Sequence, residues 1–227
     1  MSKLVPRISS REFRRDQADI HQMHRTLMSA FPRLSERAAR QAHGVLWRLD
    51  HGQRGIALYV QSRTEPDWDL LPAGYVARPA EVRSLKPYLD SIEAGRKYAF
   101  RLVAQPTRAV PAEGEPGARG RGRRVAHRSP EKQVEWLARR GERDGFVVPL
   151  ASDGAPDILP VACPRASGRS GREGVGTIVV RPVRFEGHLV VTDVEALREA
   201  VVAGIGPGKA YGCGLLTLVP PRRVLPE

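Results

Sequence analysis

Two histidines three residues apart, His21 and His24, sit in a run where Ile20, Met23, Leu27 and Phe31 recur at helical spacing. An imidazole titrates near neutrality, so it can take a proton from one group and return one to another. On a helical wheel His24 falls about 40° from the centre of the apolar face, at the rim between core and solvent. Taken alone, a rim histidine favours a structural role. His21 lies roughly one turn away on the same flank. A metal-binding pair is disfavoured because no acidic partner stands at HExxH-type spacing, so the expectation is no metal and no cofactor.

A second chemical feature is GIGPGKAYGCG, residues 204–214. Glycines let a backbone come close to a ligand and adopt positive φ, so several N–H groups can face one anion. Gly206 and Gly208 flank the stretch before Lys209, which adds a point charge, and Tyr211 adds a stacking face or a hydroxyl. The loop is not a Walker A loop, because Ala203 stands where its first glycine belongs and Ala210 where its Ser or Thr belongs. Composition alone fits a phosphate-backbone site and a plain helix-to-strand turn equally well. A third feature is the basic run ARGRGRRVAHR, residues 118–128, with Arg119, Arg121, Arg123, Arg124 and Arg128 among small residues. It reads as a solvated tail or as an arm along nucleic-acid phosphates, and Arg139 and Arg140 extend it on the next helix.

These features need a scaffold, and 227 residues with 41% hydrophobic content supply a core for one large or two small domains. Lys and Arg number 37 against 25 Asp and Glu, a net charge of +12. Such a balance points to a polyanionic partner. No apolar run approaches the roughly 20 residues of a membrane span, and the N-terminus lacks a signal-peptide pattern. Cys163 and Cys213 have no metal-ligand spacing and read as reduced thiols. The expected setting is cytoplasmic, with no membrane partner.

The elements follow from pattern. A strand at 2–9 precedes the histidine helix, whose cap is Asp16 or Asp19. VLWRL and IALYV flank HGQRG as a hairpin; EPDWDLL reads as a short helix and GYVARPAEV as a strand. This β-α-β-β-α-β order is ferredoxin-like. It repeats: KYAFRLVAQ, a helix opened by Ser129-Pro130, FVVPL, a hairpin turning at Glu186-Gly187, a helix with a Thr192/Glu195 capping box and Val194, Leu197 and Val201 as its stripe, and LLTLVP. The expected class is α+β, two tandem ferredoxin-like domains with antiparallel sheets, 1–93 and 94–227. Residues 151–174 read as a loop, and the remaining histidines, Trp47 and Trp136 carry no assigned chemistry, the tryptophans being core.

GIGPGKAYGCGLL before a final strand resembles the glycine-rich motif of the CRISPR RNA-processing endoribonucleases, and within them the CasE subtype of type I-E (Cascade) systems. MHRTLMSAFP, VLWRLD with TEPDW, RRVAHRSPEKQVEWLARRG and VRFEGHLVVTD resemble further landmarks in order, along nearly the whole chain. The resemblance implies cleavage of CRISPR repeat RNA at the base of its stem-loop without metal. The products are a 5′-hydroxyl and a 2′,3′-cyclic phosphate, and the enzyme stays bound as a subunit with the other Cascade proteins. It implies His24 as the catalytic residue. The family's tyrosine three residues earlier is here His21, which either replaces it as second proton carrier or leaves His24 to act nearly alone. The implied RNA contacts are Arg119, Arg121, Arg123, Arg124, Arg128, Arg139, Gly206, Gly208, Lys209 and Tyr211, and the free protein is expected to be a monomer. The competing expectation is a non-catalytic RNA-binding module of the same fold.

Overall fold

The computed structural model describes residues 1–34, 39–53, 55–110, 123–169 and 176–219. In chain order it contains β1 (Ser2–Leu4), α1 (Arg11–Ala18), α2 (Ile20–Met28), α3 (Ala39–Ala42), β2 (Leu46–Gly52), β3 (Gly55–Gln61), β4 (Glu81–Val82), α4 (Lys86–Asp90), β5 (Lys97–Ala104), β6 (Thr107–Val110), β7 (Arg123–Ala126), α5 (Pro130–Asp144), β8 (Phe146–Val147), β9 (Ile158–Ala162), β10 (Ala166–Arg169), β11 (Thr177–Val180), β12 (Val183–Val191), α6 (Val194–Ala203) and β13 (Leu216–Val219). Single 3₁₀ turns stand at Trp68–Leu70 and Lys209–Tyr211.

The sheets are ordered β2-β3-β1-β4 and β13-β5-β12-β8, all antiparallel, with β9 extending β12. Each places its first and third strands centrally, the tandem ferredoxin-like arrangement. The pattern that made β5 legible is its alternation, Tyr98, Phe100, Leu102 and Ala104 facing the core and their neighbours partly exposed. One core gathers Leu4, Phe13, Met23, Leu27, Leu58 and Tyr75; the other gathers Phe100, Leu137, Phe146, Phe185, Leu189 and Leu197. Tyr88, Leu89 and Ile92, all ahead of residue 93, pack on the second core.

Several expectations are corrected. The histidine helix is preceded by a separate helix, and β1 and β4 are shorter than the strands read from sequence, with Pro6 and Val76 adding only an isolated bridge. Asp19 caps α2, accepting from the His21 and Gln22 amides at 2.9 and 3.2 Å. Asp16 is no cap. It is buried, accepts 2.9 Å from the Tyr75 hydroxyl, and pairs with Arg15, which also donates to Thr26 Oγ1. The α6 cap is Asp193, not Thr192, because the Asp193 carboxylate accepts from Ala196 N at 3.0 Å and Glu195 turns instead to Arg198. Glu186-Gly187 is no turn: β12 runs through it unbroken, paired with β5 along its length, and β11 ahead of it pairs with β10 rather than with β12. Glycine is needed at 187 because a Cβ would run into the Asp157 carbonyl oxygen and lie 2.8 Å from Ile158 Cα. The stretch 151–174 holds two strands: β9 pairs with β12, and β10 pairs with β11. Ser129 caps α5 as the sequence indicates, and both cysteines are free.

The edge strand β2 meets the second domain through Arg48, which is only 4% exposed. Its Nη1 donates to the carbonyls of Leu215 and Arg101 at 3.2 and 3.3 Å and to Thr217 Oγ1 at 3.1 Å. Its other donors grip Asp50 at 2.8 and 3.1 Å, and Asp50 also receives Arg101 at 3.0 Å. Removing one partner of a buried ion pair strands the other. Arg48→Met should therefore cost about 3 kcal/mol, read as a lower urea midpoint, and an unchanged midpoint would show that the two domains are held by other contacts.

Candidate active site

Asp19 fixes the entrance of α2 from two directions. One carboxylate oxygen caps the helix; the other accepts 3.2 Å from the Arg169 amide of β10. At Gly168 a Cβ would stand 2.6 Å from Asp19 Oδ1 and 2.8 Å from His21 N, so only glycine lets β10 lie this close to the helix start. Met23 and Leu27 bury the inner face of α2, which leaves His21 and His24 half-buried at its rim.

His24 faces the glycine-rich loop. Its ring meets the Tyr211 ring edge-on, centroids 6.3 Å apart and planes at 70°. Its Nδ1 is buried without a hydrogen-bond partner among the described residues, and so is the Nδ1 of His21. Burial, then the cation of Arg40, then His21, push the His24 pKa down to about 4. Its imidazole is therefore neutral at pH 7, the form that accepts a proton. Burial raises the Tyr211 pKa, so its phenol keeps its proton.

The loop itself rests on two tryptophans. Trp47 Nε1 donates to the Ala210 carbonyl at 3.1 Å, and a Cβ on Gly212 would stand 3.0 Å from the Trp47 ring. Gly206, at φ 80°, lies equally close over Trp136. Both tryptophans are core residues, as read from sequence, yet each also shapes the loop. The amides of Ile205, Tyr211, Cys213 and Gly214 bond to backbone carbonyls, so fewer N–H groups are open to an anion than the glycine content suggests. Lys209 Nζ donates to the Ala203 carbonyl at 2.7 Å, at the negative end of α6. Its pKa is lowered by burial and then by Arg40 and Arg140.

The basic run splits. Arg119 and Arg121 lie outside the described residues, as does the side chain of Arg123. β6 and β7 pair as a hairpin that leads into α5, and Gln133 holds its end through the His127 and Arg128 carbonyls. Arg124, Arg128 and Arg139 are exposed on this surface, and the Arg140 guanidinium lies 5.6 Å over the Trp136 ring. The structure thus brings His21, His24 and Tyr211 together, with Lys209 in the same loop. It keeps Arg124, Arg128 and Arg139 on the hairpin and helix. Sequence reading missed Arg40, hidden among the charges of 33–40, and the clamp of Gly168 and Arg169 on Asp19, whose partners are 150 positions apart.

Comparison with known proteins places this geometry. The family described as CRISPR associated protein matches residues 1–220. The chain is 36% identical to CRISPR-associated endoribonuclease Cse3 of Thermus thermophilus, over 97% of this chain and 99% of that protein. It is 26% identical to the CRISPR system Cascade subunit CasE of Escherichia coli, over 89% and 92% of the two chains. The structure of Thermus thermophilus Cse3 bound to an RNA representing a pre-cleavage complex superposes with a TM-score of 0.75 at 33% identity, covering 96% of this chain and 98% of that one.

In the free protein the His24 ring should titrate near 4, followed by NMR of its ring protons. A midpoint at the ordinary histidine value would show a solvated ring and remove the basis for a neutral base held against the loop.

Proposed function

The chain belongs to the Cse3/CasE family of CRISPR-associated endoribonucleases, and on that premise we propose that His24, set against the glycine-rich loop, cuts CRISPR repeat RNA at its stem-loop. The protein is an endoribonuclease whose partners are the repeat RNA and the other Cascade subunits. The single observation that carries the assignment is the half-buried His24 imidazole at the rim of α2, its Nδ1 without a partner among the described residues and its ring against Tyr211.

The chemistry follows from the groups present. His24 takes the proton of the 2′-hydroxyl, and the 2′-oxygen forms a bond to the adjacent phosphorus. The bond from phosphorus to the 5′-oxygen breaks, and that oxygen takes a proton from an acid, for which His21 is placed on the same flank of α2. The products are a 2′,3′-cyclic phosphate and a 5′-hydroxyl, and no metal enters a step. DNA lacks the attacking hydroxyl. Lys209 and the loop backbone lie along the phosphates at the cut, and Arg124, Arg128 and Arg139 along the stem, where A-form geometry offers backbone rather than base edges. Among the described residues no helix is long and apolar enough to cross a membrane, and the working place is the cytoplasm, where the free protein is a monomer. The domain division is read near residue 93, with Tyr88 and Leu89 of α4 just ahead of it packed on the second core.

His24→Ala should slow cleavage of repeat RNA about 100-fold or more while retaining binding. The assay runs in EDTA, with a substrate carrying a single 2′-deoxy at the cut site as the control that binds and stays intact. Cleavage by the variant at the wild-type rate would end the assignment, and a wild-type chain that binds without cutting would leave an RNA-binding module. Replacing Arg124, Arg128 and Arg139 together should flatten the dependence of log affinity on log salt, each lost phosphate contact removing somewhat less than one unit; an unchanged slope would put the RNA stem elsewhere.

A further inference from the structure

Buried and half-buried arginines in this fold generally meet a carboxylate: Arg48 has Asp50, Arg101 has Asp50 and Glu186, and Arg198 has Glu195. Arg40 differs. Half-buried on α3, it donates from Nη1 to the Val45 carbonyl at 3.0 Å and pairs with no carboxylate among the described residues. Its own carbonyl accepts from Val45 N at 3.0 Å, so α3 is pinned to the start of β2 from both sides.

That pinning puts the guanidinium at the cleft. Val45 precedes Leu46, whose side chain fills the space beside Gly204, 2.7 Å from where a Cβ would stand. Gly204 follows Ala203, whose carbonyl holds Lys209 Nζ. Trp47, two residues past Val45, holds Ala210. Next in the loop is Tyr211, against His24. Two half-buried cations whose bonds among the described residues go to carbonyls, Arg40 and Lys209, thus stand around an imidazole whose Nδ1 has no partner among those residues. The groups acting on His24 are Arg40 and His21. Those acting on Lys209 are Arg40, Arg140, Arg143 and, with opposite sign, Asp144.

We infer that Arg40 is a further catalytic residue of this chain, holding the scissile phosphate beside His24 and stabilising the charge that builds on it during cleavage. The inference rests on the reading of this cleft as the RNA cleavage site. A guanidinium with no carboxylate partner among the described residues is open to an oxyanion, and its planar fork suits two phosphate oxygens. The bound phosphate also changes His24. Without it, the Arg40 cation opposes protonation of the imidazole. With it, that cation is neutralised, and the imidazolium formed when His24 takes the 2′-proton faces the negative phosphorane instead.

The test uses the full chain with repeat RNA at saturating protein in a single turnover. Arg40→Gln should lower the cleavage rate about 100-fold, the scale of one lost transition-state donor, with affinity for the 2′-deoxy-substituted repeat RNA nearly kept. Arg40→Lys should recover part of the rate. In the free Arg40→Gln protein the His24 titration midpoint should rise above that of wild type, because a like charge has gone. An Arg40→Gln protein that folds and cuts at the wild-type rate overturns the assignment. So does a loss of rate that lysine does not relieve and that leaves the His24 titration unmoved, which marks a purely structural residue. A wild-type chain that binds the RNA without cutting it overturns the cleavage reading, and the role of Arg40 with it.

Discussion

The Arg48 guanidinium is the contact on which the relative placement of the two sheets depends. It leaves β2 of one domain and ends on carbonyls of β5 and of the segment leading into β13 in the other. A buried cation this far from water is tolerable because all three of its nitrogens donate and Asp50 supplies the countercharge. Gln61 adds a second tie, its amide donating to the Val201 carbonyl at the end of α6. Together they fix the end of α6, hence the start of the glycine-rich loop, against the first domain. Without that register Tyr211 and His24 would have no reason to meet.

Desolvation then sets the chemistry. The loop, Trp47 beneath it and the packed face of α2 take water away from His24, and a half-buried imidazole beside a cation stays neutral. The loop's glycines serve packing as much as ligand approach. At Gly206 and Gly212 the missing side chains make room for the tryptophan rings, so the loop packs closely on both.

Much of this was legible in the sequence where the signal is local. The alternation of KYAFRLVA, the hairpin of β2 and β3, the Ser129 cap with Pro130 behind it, and the apolar spacing of Met23 and Leu27 all concern residues that answer to their near neighbours. What the sequence hid is decided at long range. Gly187 looks like a turn because glycine permits one, but the reason for it is the backbone of Asp157 thirty residues earlier. Asp16 looks like a cap until Tyr75 claims it. The segment after β8 reads as loop because its strands borrow their partners, β12 for one and the start of α2 beside the other. The histidine and the loop could be named from their motif, yet their contact across the cleft is a property of two domains.

The clamp of β10 on α2 has a consequence for how the protein is made. The helix bearing His24 is made well before its partners: the Arg169 amide that completes its cap follows 150 residues later, and Trp47 waits for Ala210, 163 residues on. At ordinary translation speeds that interval is on the order of ten seconds. Throughout it the nascent chain carries the histidine helix without the wall that dries and orients the imidazole. The wall against the His24 ring is thus assembled only once residues 204–214 have been made.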